Sequence, residues 1–388
     1  MSTKSQEDRY TMPTYNRYPV ILSRGQGATV QDDTGKTYID FTSGIGVNSL
    51  GYCDAQWVDA VTEQAKTLQH TSNLYYTQPQ ADLAEKLCSI TQYDTVFFAN
   101  SGAEANECAI KLARKYSYDK YGEGRSVIVS LDNSFHGRTL ATLTATGQPE
   151  FHQYFDPFPA DFRYADPNSE ADLAEKLDDK VCAVLLEYIQ GEGGVCPLRR
   201  SYVDQLFALC ADRDILVIAD EVQTGVGRTG TFLAGEQYGH QADITTLAKG
   251  LGGGLPIGAC LAKGKCAHTL TPGTHGSTFG GNPVSCAGAL AVLNRVADPA
   301  FLAEVNRKSA LFRGHLELTG GIEKIDGSGL MLGITLKEKN ASDVVNAALK
   351  EGLLLLTAKE KVRLLPPLTI SDLEIRQGTA ILRRVLEA

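Results

Sequence analysis

The segment Ile215-Leu216-Val217-Ile218-Ala219-Asp220 is apolar for five residues and then ends on a carboxylate. An apolar run of this length, rich in β-branched residues, predicts a strand that is covered on both faces, as in a parallel sheet. Comparable runs recur along the chain and give the candidate strands 95–99, 126–130, 181–187, 215–219, 244–247 and 258–261. Amphipathic stretches between them, at 103–121, 172–177 and 201–212, predict helices. This alternation predicts an α/β fold with a large, doubly wound and mostly parallel sheet.

The hydrophobic pattern changes beyond residue 282. Long helical stretches at 284–296 and 301–318 come before apolar segments at 330–336 and 353–356, the second read as a buried strand, and a last helix from Ser371. This order predicts a smaller α+β domain. Roughly the first 30 residues are aromatic and rich in turns, and we expect them to pack across a neighbour. We therefore predict an N-terminal segment over 1–45 that packs with the small domain, a large domain over 46–282, and a small domain over 283–388.

Size and composition limit the classes of function. The chain of 388 residues is 43% hydrophobic and 21% charged, which is ordinary for a protein that buries a large core. A net charge of −9 disfavours a nucleic-acid partner, because binding a phosphate backbone needs a basic face. No apolar run reaches the roughly 18 to 20 residues of a membrane span, and the polar start lacks the apolar core of a signal peptide. The nine cysteines form no CxxC pair and no Cys/His cluster, which favours reduced thiols, a cytoplasmic location and no structural metal.

Polar or glycine-rich residues directly follow several of the candidate strands. They lie at 100–102, 132–136, 190–194, 220–221 and 249–250. In open α/β sheets, ligands bind at the carboxyl ends of the strands. These five segments are far apart in sequence, and we expect them to converge on one crevice.

Asp220 and Lys249 carry the strongest chemical signal. A carboxylate at a strand end can hold a proton on a heteroaromatic nitrogen, and a lysine that is partly neutral can form an imine. Taken alone, Asp220 also fits a Mg²⁺ ligand and Lys249 fits a solvated loop lysine. The chain has no phosphate loop to accompany a Mg²⁺ site, however, and glycines follow Lys249 at positions 250 and 252–254. The pair together favours chemistry in which a cofactor acts as an electron sink.

Three further segments each allow two interpretations. Residues 101–106 predict either an anion site at the start of a helix or a plain N-cap made by Ser101 and Glu104. Residues 135–138 predict either a ring that stacks on a cofactor with an arginine for a carboxylate, or a core aromatic beside a surface arginine. His136 by itself is typical of a packed loop histidine. Residues 275–283 supply hydroxyls that could bind phosphate, or form an ordinary loop at a domain boundary.

In their order along the chain, these motifs resemble those of the class III aminotransferases, which are fold type I pyridoxal-phosphate enzymes. The resemblance covers about residue 18 to the last helix. It implies that Lys249 forms the Schiff base with pyridoxal phosphate and shuttles the proton, and that Asp220 pairs with the pyridine nitrogen. It also implies a homodimer with shared active sites. The further cofactor contacts that it implies are Gly102, Ala103, Phe135, Glu221, Val222, Gln223 and, from the neighbouring subunit, Thr278.

The resemblance is strongest to the acetylornithine aminotransferases. It implies transfer of the terminal amino group of N-acetylornithine to 2-oxoglutarate, in arginine biosynthesis. Arg138, with Ser277 beside it, would bind the substrate carboxylate. Glu192 would mask a second arginine, Arg363, until glutamate presents two carboxylates.

Several points stay open from the sequence. Ornithine, succinylornithine and 4-aminobutyrate aminotransferases share the cofactor residues, so the amino donor is not fixed. A pyridoxal-phosphate racemase and a non-catalytic module that binds a phosphate ligand are remoter alternatives. Tyr188 stands where the family usually has proline, and residues 51–55 lack the usual His and Pro after the glycine. Both departures bear on substrate detail more than on reaction class.

Overall fold

Regular elements occupy most of residues 2–388, the part of the chain that this computed structural model describes. The α-helices are α1 Thr3–Tyr10, α2 Ser43–Gly46, α3 Ala55–Thr67, α4 Gln78–Thr91, α5 Gly102–Tyr121, α6 Leu140–Ala145, α7 Glu170–Lys176, α8 Arg200–Asp212, α9 Gly235–Tyr238, α10 Pro283–Val296, α11 Pro299–Glu317, α12 Ala341–Lys350 and α13 Asp372–Glu387. The β-strands are β1 Leu22–Gln26, β2 Thr29–Asp32, β3 Thr37–Asp40, β4 Thr95–Ala99, β5 Val127–Leu131, β6 Phe162–Ala165, β7 Val181–Leu186, β8 Ile189–Gln190, β9 Cys196–Pro197, β10 Leu216–Asp220, β11 Ile244–Leu247, β12 Gly258–Ala262, β13 Ile322–Ser328, β14 Met331–Leu336, β15 Leu353–Leu354, β16 Leu356–Ala358 and β17 Lys361–Leu364.

The strand that ends on Asp220 is the central strand of a seven-stranded sheet, in the order β4-β12-β11-β10-β7-β5-β6. The pairs β10/β11, β10/β7, β5/β7 and β5/β6 are parallel. Strand β12 runs antiparallel to both of its neighbours, β11 and β4. The large, mostly parallel sheet that the sequence predicts is therefore confirmed, and the six predicted strands lie within one residue of their expected ends.

Helices cover this sheet on both faces, which explains why its central strands are mostly apolar. On one face, Val129, Val184 and Val217 pack against α8. Their chain neighbours Ile128, Leu185 and Ile218 pack against α5 on the other face. All six side chains are at most 2% exposed. Full burial of one such side chain stabilises the fold by roughly 1.5–3 kcal/mol, so both faces fix the position of the strand ends.

The C-terminal part of the chain builds a second, antiparallel sheet in the order β13-β14-β17-β16. A third sheet joins the N-terminal strands to this part, because β3 pairs in parallel with β15. The single strand predicted at 353–356 is wrong. The chain bends at Leu355, whose side chain enters the core at 2% exposure, so β15 and β16 belong to different sheets. The domain boundaries, and the packing of the first 30 or so residues across a neighbour, stay predictions.

The helix ends follow local capping chemistry. The last helix begins after Ser371, as the sequence predicts, and Ser371 and Glu374 form a reciprocal capping box. Helix α1 was not predicted, and its residues are exposed. No single helix within residues 2–388 is long and apolar enough to cross a membrane. Helices α10 and α11 pass that test only as a pair, which is bent by 73° at its break.

Candidate active site

A cavity of about 450 Å³ lies at the carboxyl ends of the central strands. Segments at the ends of β4, β5, β7, β10 and β11 line it, and four of the five segments predicted to converge contribute residues, at 100–102, 135–136, 220 and 249. The lining residues are Val47, Asn100–Ala103, Asn106, Phe135–Arg138, Glu187, Asp220, Val222, Gln223, Ala248, Lys249 and Gly254–Ile257. Residues 190–194 do not line the cavity themselves. They reach it through Glu192, which accepts a hydrogen bond from Gln223.

Asp220 is 4% exposed and is held by three hydrogen bonds. Its Oδ2 accepts from Asn106 Nδ2 at 2.7 Å and lies 2.8 Å from His136 Nδ1, and its Oδ1 accepts from the Val222 N–H at 3.0 Å. Asn106 is itself fixed, because its Oδ1 accepts from the Thr246 hydroxyl at 2.7 Å. This network leaves the carboxylate no freedom to turn away from the cavity. The sequence predicted Asp220 but not its supports, Asn106, His136 and Thr246.

His136, another lining residue, extends this network through its ring. An ionised Asp220 only accepts hydrogen bonds, so Nδ1 of His136 carries the proton and donates it. The Nε2 atom is buried without a hydrogen-bond partner among residues 2–388. Glu187 accepts from the N–H groups of Phe135 and Gly191 at 2.9 and 3.3 Å. Glu187 lines the same cavity as Asp220, and burial raises the pKa of the Glu187 carboxyl.

Lys249 follows β11 and presents its amine to the cavity. Its backbone is left-handed, with φ of 43°, a region that non-glycine residues seldom adopt. Ser49 donates its hydroxyl proton to the next carbonyl, that of Gly250, at 3.1 Å and so supports this turn. Burial lowers the pKa of the Lys249 amine. A buried amine with a lowered pKa is neutral more often, which is the form that attacks a carbonyl carbon.

The start of α5 also lines the cavity, and it is the segment predicted to bind an anion. Ser101 caps the helix by accepting from the Glu104 N–H at 3.1 Å, and Glu104 reaches back to the Asn100 N–H at 2.7 Å. The N–H groups of Gly102 and Ala103 belong to the first turn and have no partner within the helix. The N-cap interpretation of this segment is therefore confirmed, and its role as an anion site stays a prediction. A Cβ at position 102 would lie 2.8 Å from Cγ1 of Val222, so glycine is required for this approach.

Two arginines line or border the cavity in different states. Arg363 is 2% exposed, and its Nη1 donates to Glu192 Oε1 at 2.6 Å and to Gln223 Oε1 at 3.1 Å. Burial opposes the charge of Glu192, but the Arg363 guanidinium more than offsets it and holds the pKa of that carboxyl below its usual range. Arg138 is exposed to the cavity, and Phe135 lies beside it. Arg363 is therefore paired with the carboxylate of Glu192, whereas Arg138 is free to bind a carboxylate from a substrate.

Five predicted site residues do not line this cavity: Glu192 and Arg363, which lie behind Gln223, and Glu221, Ser277 and Thr278. The Glu221 carboxylate accepts from the Thr224 hydroxyl and from the N–H groups of Ala234 and Gly235, and a cofactor contact of this residue stays a prediction. Burial raises its pKa to about 7. Ser277 does not line the cavity but accepts from Asn100 Nδ2 at 3.2 Å, and Thr278 is exposed. The roles of Ser277 beside a carboxylate and of Thr278 in a neighbouring subunit stay predictions.

The two departures from the family pattern lie away from the reacting groups. Tyr188 is 1% exposed and stacks on Tyr238, with the ring centroids 5.0 Å apart. Asp54, in the segment that lacks the usual His and Pro, caps α3 by accepting from the Trp57 N–H and forms an ion pair with Arg295. Neither residue lines the cavity, so both serve packing.

These groups fit pyridoxal phosphate. The free N–H pair at the start of α5 suits its phosphate, the fixed Asp220 carboxylate suits its ring nitrogen, and the Lys249 amine suits its aldehyde. A volume of about 450 Å³ is in the range of pockets for small cofactors. The fold and this set of groups define a pyridoxal-phosphate-dependent enzyme of the aminotransferase class.

Comparison with known proteins gives the family. Residues 10–386 match the model for "Aminotransferase class-III", and the chain belongs to that family. The acetylornithine aminotransferase of Haemophilus ducreyi is 53% identical over 385 residues, which are 99% of this chain and 98% of the relative. A crystal structure of the N-acetylornithine aminotransferase of Stenotrophomonas maltophilia matches with a TM-score of 0.86 at 38% identity, covering 99% of this chain and 98% of the other.

A third comparison bears on the cofactor. The ornithine aminotransferase of Toxoplasma gondii matches with a TM-score of 0.94 at 32% identity, covering 99% of this chain and 93% of the other. That structure shows partial occupancy of pyridoxal phosphate at its active site. The chain described here is a pyridoxal-phosphate-dependent transaminase, and the predicted fold class, reaction class and cofactor are confirmed.

Proposed function

We propose that this enzyme transfers the terminal amino group of N-acetylornithine to 2-oxoglutarate, giving N-acetylglutamate semialdehyde and glutamate in arginine biosynthesis. The observation that carries the proposal is the pairing of a masked arginine with an open one. The Glu192–Arg363 ion pair of 2.6 Å leaves Arg138 as the arginine available to a substrate carboxylate. N-acetylornithine has one carboxylate and a neutral acetamide, and it matches this state.

The second substrate explains why the mask is an ion pair rather than an apolar side chain. 2-Oxoglutarate carries two carboxylates, and the second needs a cation of its own. If Glu192 moves away, Arg363 becomes that cation, and its planar fork suits a bidentate contact with a carboxylate. One pocket can then accept two unlike substrates in turn.

The residues of the chain divide the catalytic work among them. When bound, pyridoxal phosphate supplies the electron sink that stabilises negative charge on the carbon beside the nitrogen. Asp220 holds the proton on the ring nitrogen, and Asn106 and His136 keep its carboxylate in place. Lys249 would hold the cofactor through Nζ, and as a free amine during turnover Nζ would be the base that takes the proton from the donor carbon. The Gly102 and Ala103 N–H groups anchor the phosphate.

The two carboxylate-binding roles complete this division. Arg138 orients the donor by its carboxylate, and Glu192 with Arg363 separates the two half-reactions. These roles rest on the position of Arg138 in the cavity lining and on the burial and charge of the Glu192–Arg363 pair beside it.

The amino donor is tested by steady-state kinetics with four donors and 2-oxoglutarate as acceptor. N-acetylornithine is compared with ornithine, N-succinylornithine and 4-aminobutyrate. We expect the highest kcat/KM with N-acetylornithine, because free ornithine brings a second ammonium group close to Arg138. A clear preference for free ornithine or 4-aminobutyrate would reject the proposed donor while leaving the reaction class intact.

Assembly and location are part of the same proposal. We propose a homodimer in which Thr278 of one subunit contacts the cofactor phosphate of the other. Support comes from the exposure of Thr278 and of Phe279, which is 62% exposed beside it. We also propose a cytoplasmic location, in keeping with biosynthetic chemistry that uses free amino acids and oxo acids.

A further inference from the structure

Arg138 is positioned by aromatic side chains. Within residues 2–388 its guanidinium makes no hydrogen bond or ion pair with a protein acceptor. Its Cζ lies 4.2 Å from the centre of the Phe151 ring and 5.4 Å from the centre of the Phe135 ring. The side chain that we expect to bind the donor carboxylate is therefore positioned by aromatic faces.

Phe151 is well placed to do this because its own position is fixed. It ends the 3-10 turn Pro149–Phe151, and its N–H donates to the Gln148 carbonyl at 3.0 Å. The Phe151 and Phe135 rings meet edge to face, with centroids 6.1 Å apart and planes at 81°. The adjacent Glu150 forms an ion pair with Lys359, which lies between β16 and β17. The turn therefore contacts Phe135, the ring that we expect to stack on the cofactor, and is linked by an ion pair to the residues just before β17, which carries Arg363.

An aromatic ring can position an arginine and leave its N–H donors free for another partner. The negative face of the ring attracts the cation but accepts none of its five N–H donors in a strong hydrogen bond. A carboxylate partner, by contrast, has to be displaced before substrate can bind, as Glu192 must be displaced from Arg363. The same crevice therefore contains one arginine that is permanently available and one that is conditionally available.

We propose that Phe151 is a positioning and affinity-determining residue for the carboxylate of the amino donor, acting through Arg138. This proposal rests on the proposed function, in which Arg138 binds that carboxylate. It predicts that the aromatic face, and not merely apolar volume at position 151, sets the affinity. The expected loss is in KM for donors that carry the carboxylate, because the chemistry at Lys249 is unaffected.

The test compares Phe151→Leu, which keeps an apolar side chain of similar size, with Phe151→Tyr, which keeps the aromatic face. Phe155→Leu is the matched control, because Phe155 lies on the same loop and is 52% exposed. Each variant is assayed with N-acetylornithine and with 4-acetamidobutylamine, the same molecule without its carboxylate. The visible absorbance of the bound cofactor and the melting temperature are recorded for each protein.

For Phe151→Leu we expect KM for N-acetylornithine to rise roughly three- to tenfold with kcat nearly constant, as expected for loss of a cation–π contact. We expect kcat/KM for 4-acetamidobutylamine and the cofactor spectrum to stay unchanged. Phe151→Tyr and Phe155→Leu should behave as the unsubstituted enzyme. An equal loss for both amines, or an unchanged KM in Phe151→Leu, would overturn the proposal.

Failure of the proposed donor is distinguishable from failure of this inference. If the unsubstituted enzyme prefers ornithine, the donor proposal fails, and the same comparison is made with ornithine and its decarboxylated counterpart, 1,4-diaminobutane. The same selective loss for the carboxylate-bearing member of that pair supports the role of Phe151. An equal loss for both members contradicts it.

Discussion

At the scale of single residues, Lys249 combines two features that the sequence does not encode directly. Its φ of 43° reflects the packing of the surrounding turn, and its lowered amine pKa reflects burial. Strained backbone of this kind costs roughly 1–3 kcal/mol and persists only where neighbouring contacts enforce it. Such strain at a buried lysine is typical of a reacting group rather than of a solvated loop side chain.

The lowered pKa gives a prediction about pH. An amine attacks an aldehyde only when it has lost its proton, so lowering the pKa moves the rise in rate to lower pH. We expect the rate at which the cofactor-free enzyme combines with pyridoxal phosphate to level off below pH 10.5, the ordinary pKa of lysine. Nα-acetyllysine, measured over the same range, serves as the control and should level off only near that value. An enzyme rate that keeps rising in parallel with the control would show that Lys249 is not perturbed.

The ion pair of Glu192 gives a second prediction. In Glu192→Gln the shape of the mask stays but its charge is lost, so Arg363 becomes available to a second carboxylate. We expect the ratio of kcat/KM for glutamate to that for N-acetylornithine to rise roughly tenfold, the size of one charge-assisted hydrogen bond. A ratio is measured because it does not depend on the fraction of folded enzyme. Glu360→Gln, an exposed change three residues before Arg363, is the control. A constant ratio in Glu192→Gln would contradict the masking role.

Some of the site residues could be predicted from the sequence, and others could not because their positions depend on tertiary packing. Asp220 and Lys249 stand directly after apolar strands, so their position could be predicted from the strand pattern. Asn106 lies inside α5 and approaches Asp220 only because α5 packs across β10 and β11, which no local pattern reveals. The direction of the Glu221 side chain was also not predicted: adjacent residues at a strand end point in opposite directions, and its carboxylate faces Thr224.

At the scale of elements, the start of α5 is the part of the site most sensitive to shape. In Gly102→Ala the new methyl group would lie 2.8 Å from Val222, on the wall that we expect to face the cofactor ring. We expect the dissociation constant for pyridoxal phosphate to rise roughly tenfold, within the usual cost of overpacking. The measurement is an absorbance titration of the cofactor-free enzyme.

Gly314→Ala is the matched control for this prediction. Gly314 lies within α11, and a Cβ there meets no other atom within 4 Å. Replacing a helical glycine by alanine should stabilise the fold by roughly 0.5–1 kcal/mol and leave cofactor binding unchanged. Equal cofactor affinity in both variants would contradict the anion site at the start of α5.

The ends of an element could be predicted where all of its residues pack in the same environment. The strands of the large sheet are apolar on both faces because helices cover both, and their ends were predicted to within one residue. The apolar run 353–356 is instead divided between two sheets. Leu353 pairs with Ile39 of β3, whereas Leu356 pairs with Arg363 of β17. A break of this kind depends on contacts with residues more than 300 positions away, so the local pattern could not predict it.

At the scale of the whole molecule, the proposed sharing of active sites can be tested by mixing two inactive chains. Lys249→Ala lacks the reacting amine, and Thr278→Glu places a negative charge where the phosphate of the partner is expected. We expect each homodimer to be inactive at low cofactor concentration. In a mixed dimer, one site has both defects and the other has none, so about half of the normal activity should return.

The mixed dimer also distinguishes the alternatives to sharing. If Thr278 served the site of its own chain, every site in the mixed dimer would carry one defect and activity would stay absent. Size-exclusion chromatography with light scattering establishes the assembly beforehand. A monomer that is fully active would contradict the shared site outright.

The central claim, that Lys249 holds pyridoxal phosphate in this crevice, is tested most directly by covalent trapping. The enzyme with its cofactor is reduced with borohydride, digested, and mapped by mass spectrometry. We predict a cofactor-derived mass on the peptide that contains Lys249 and on no other lysine, together with loss of the visible absorbance. Attachment to a different lysine, or no stable attachment to the protein, would contradict the account.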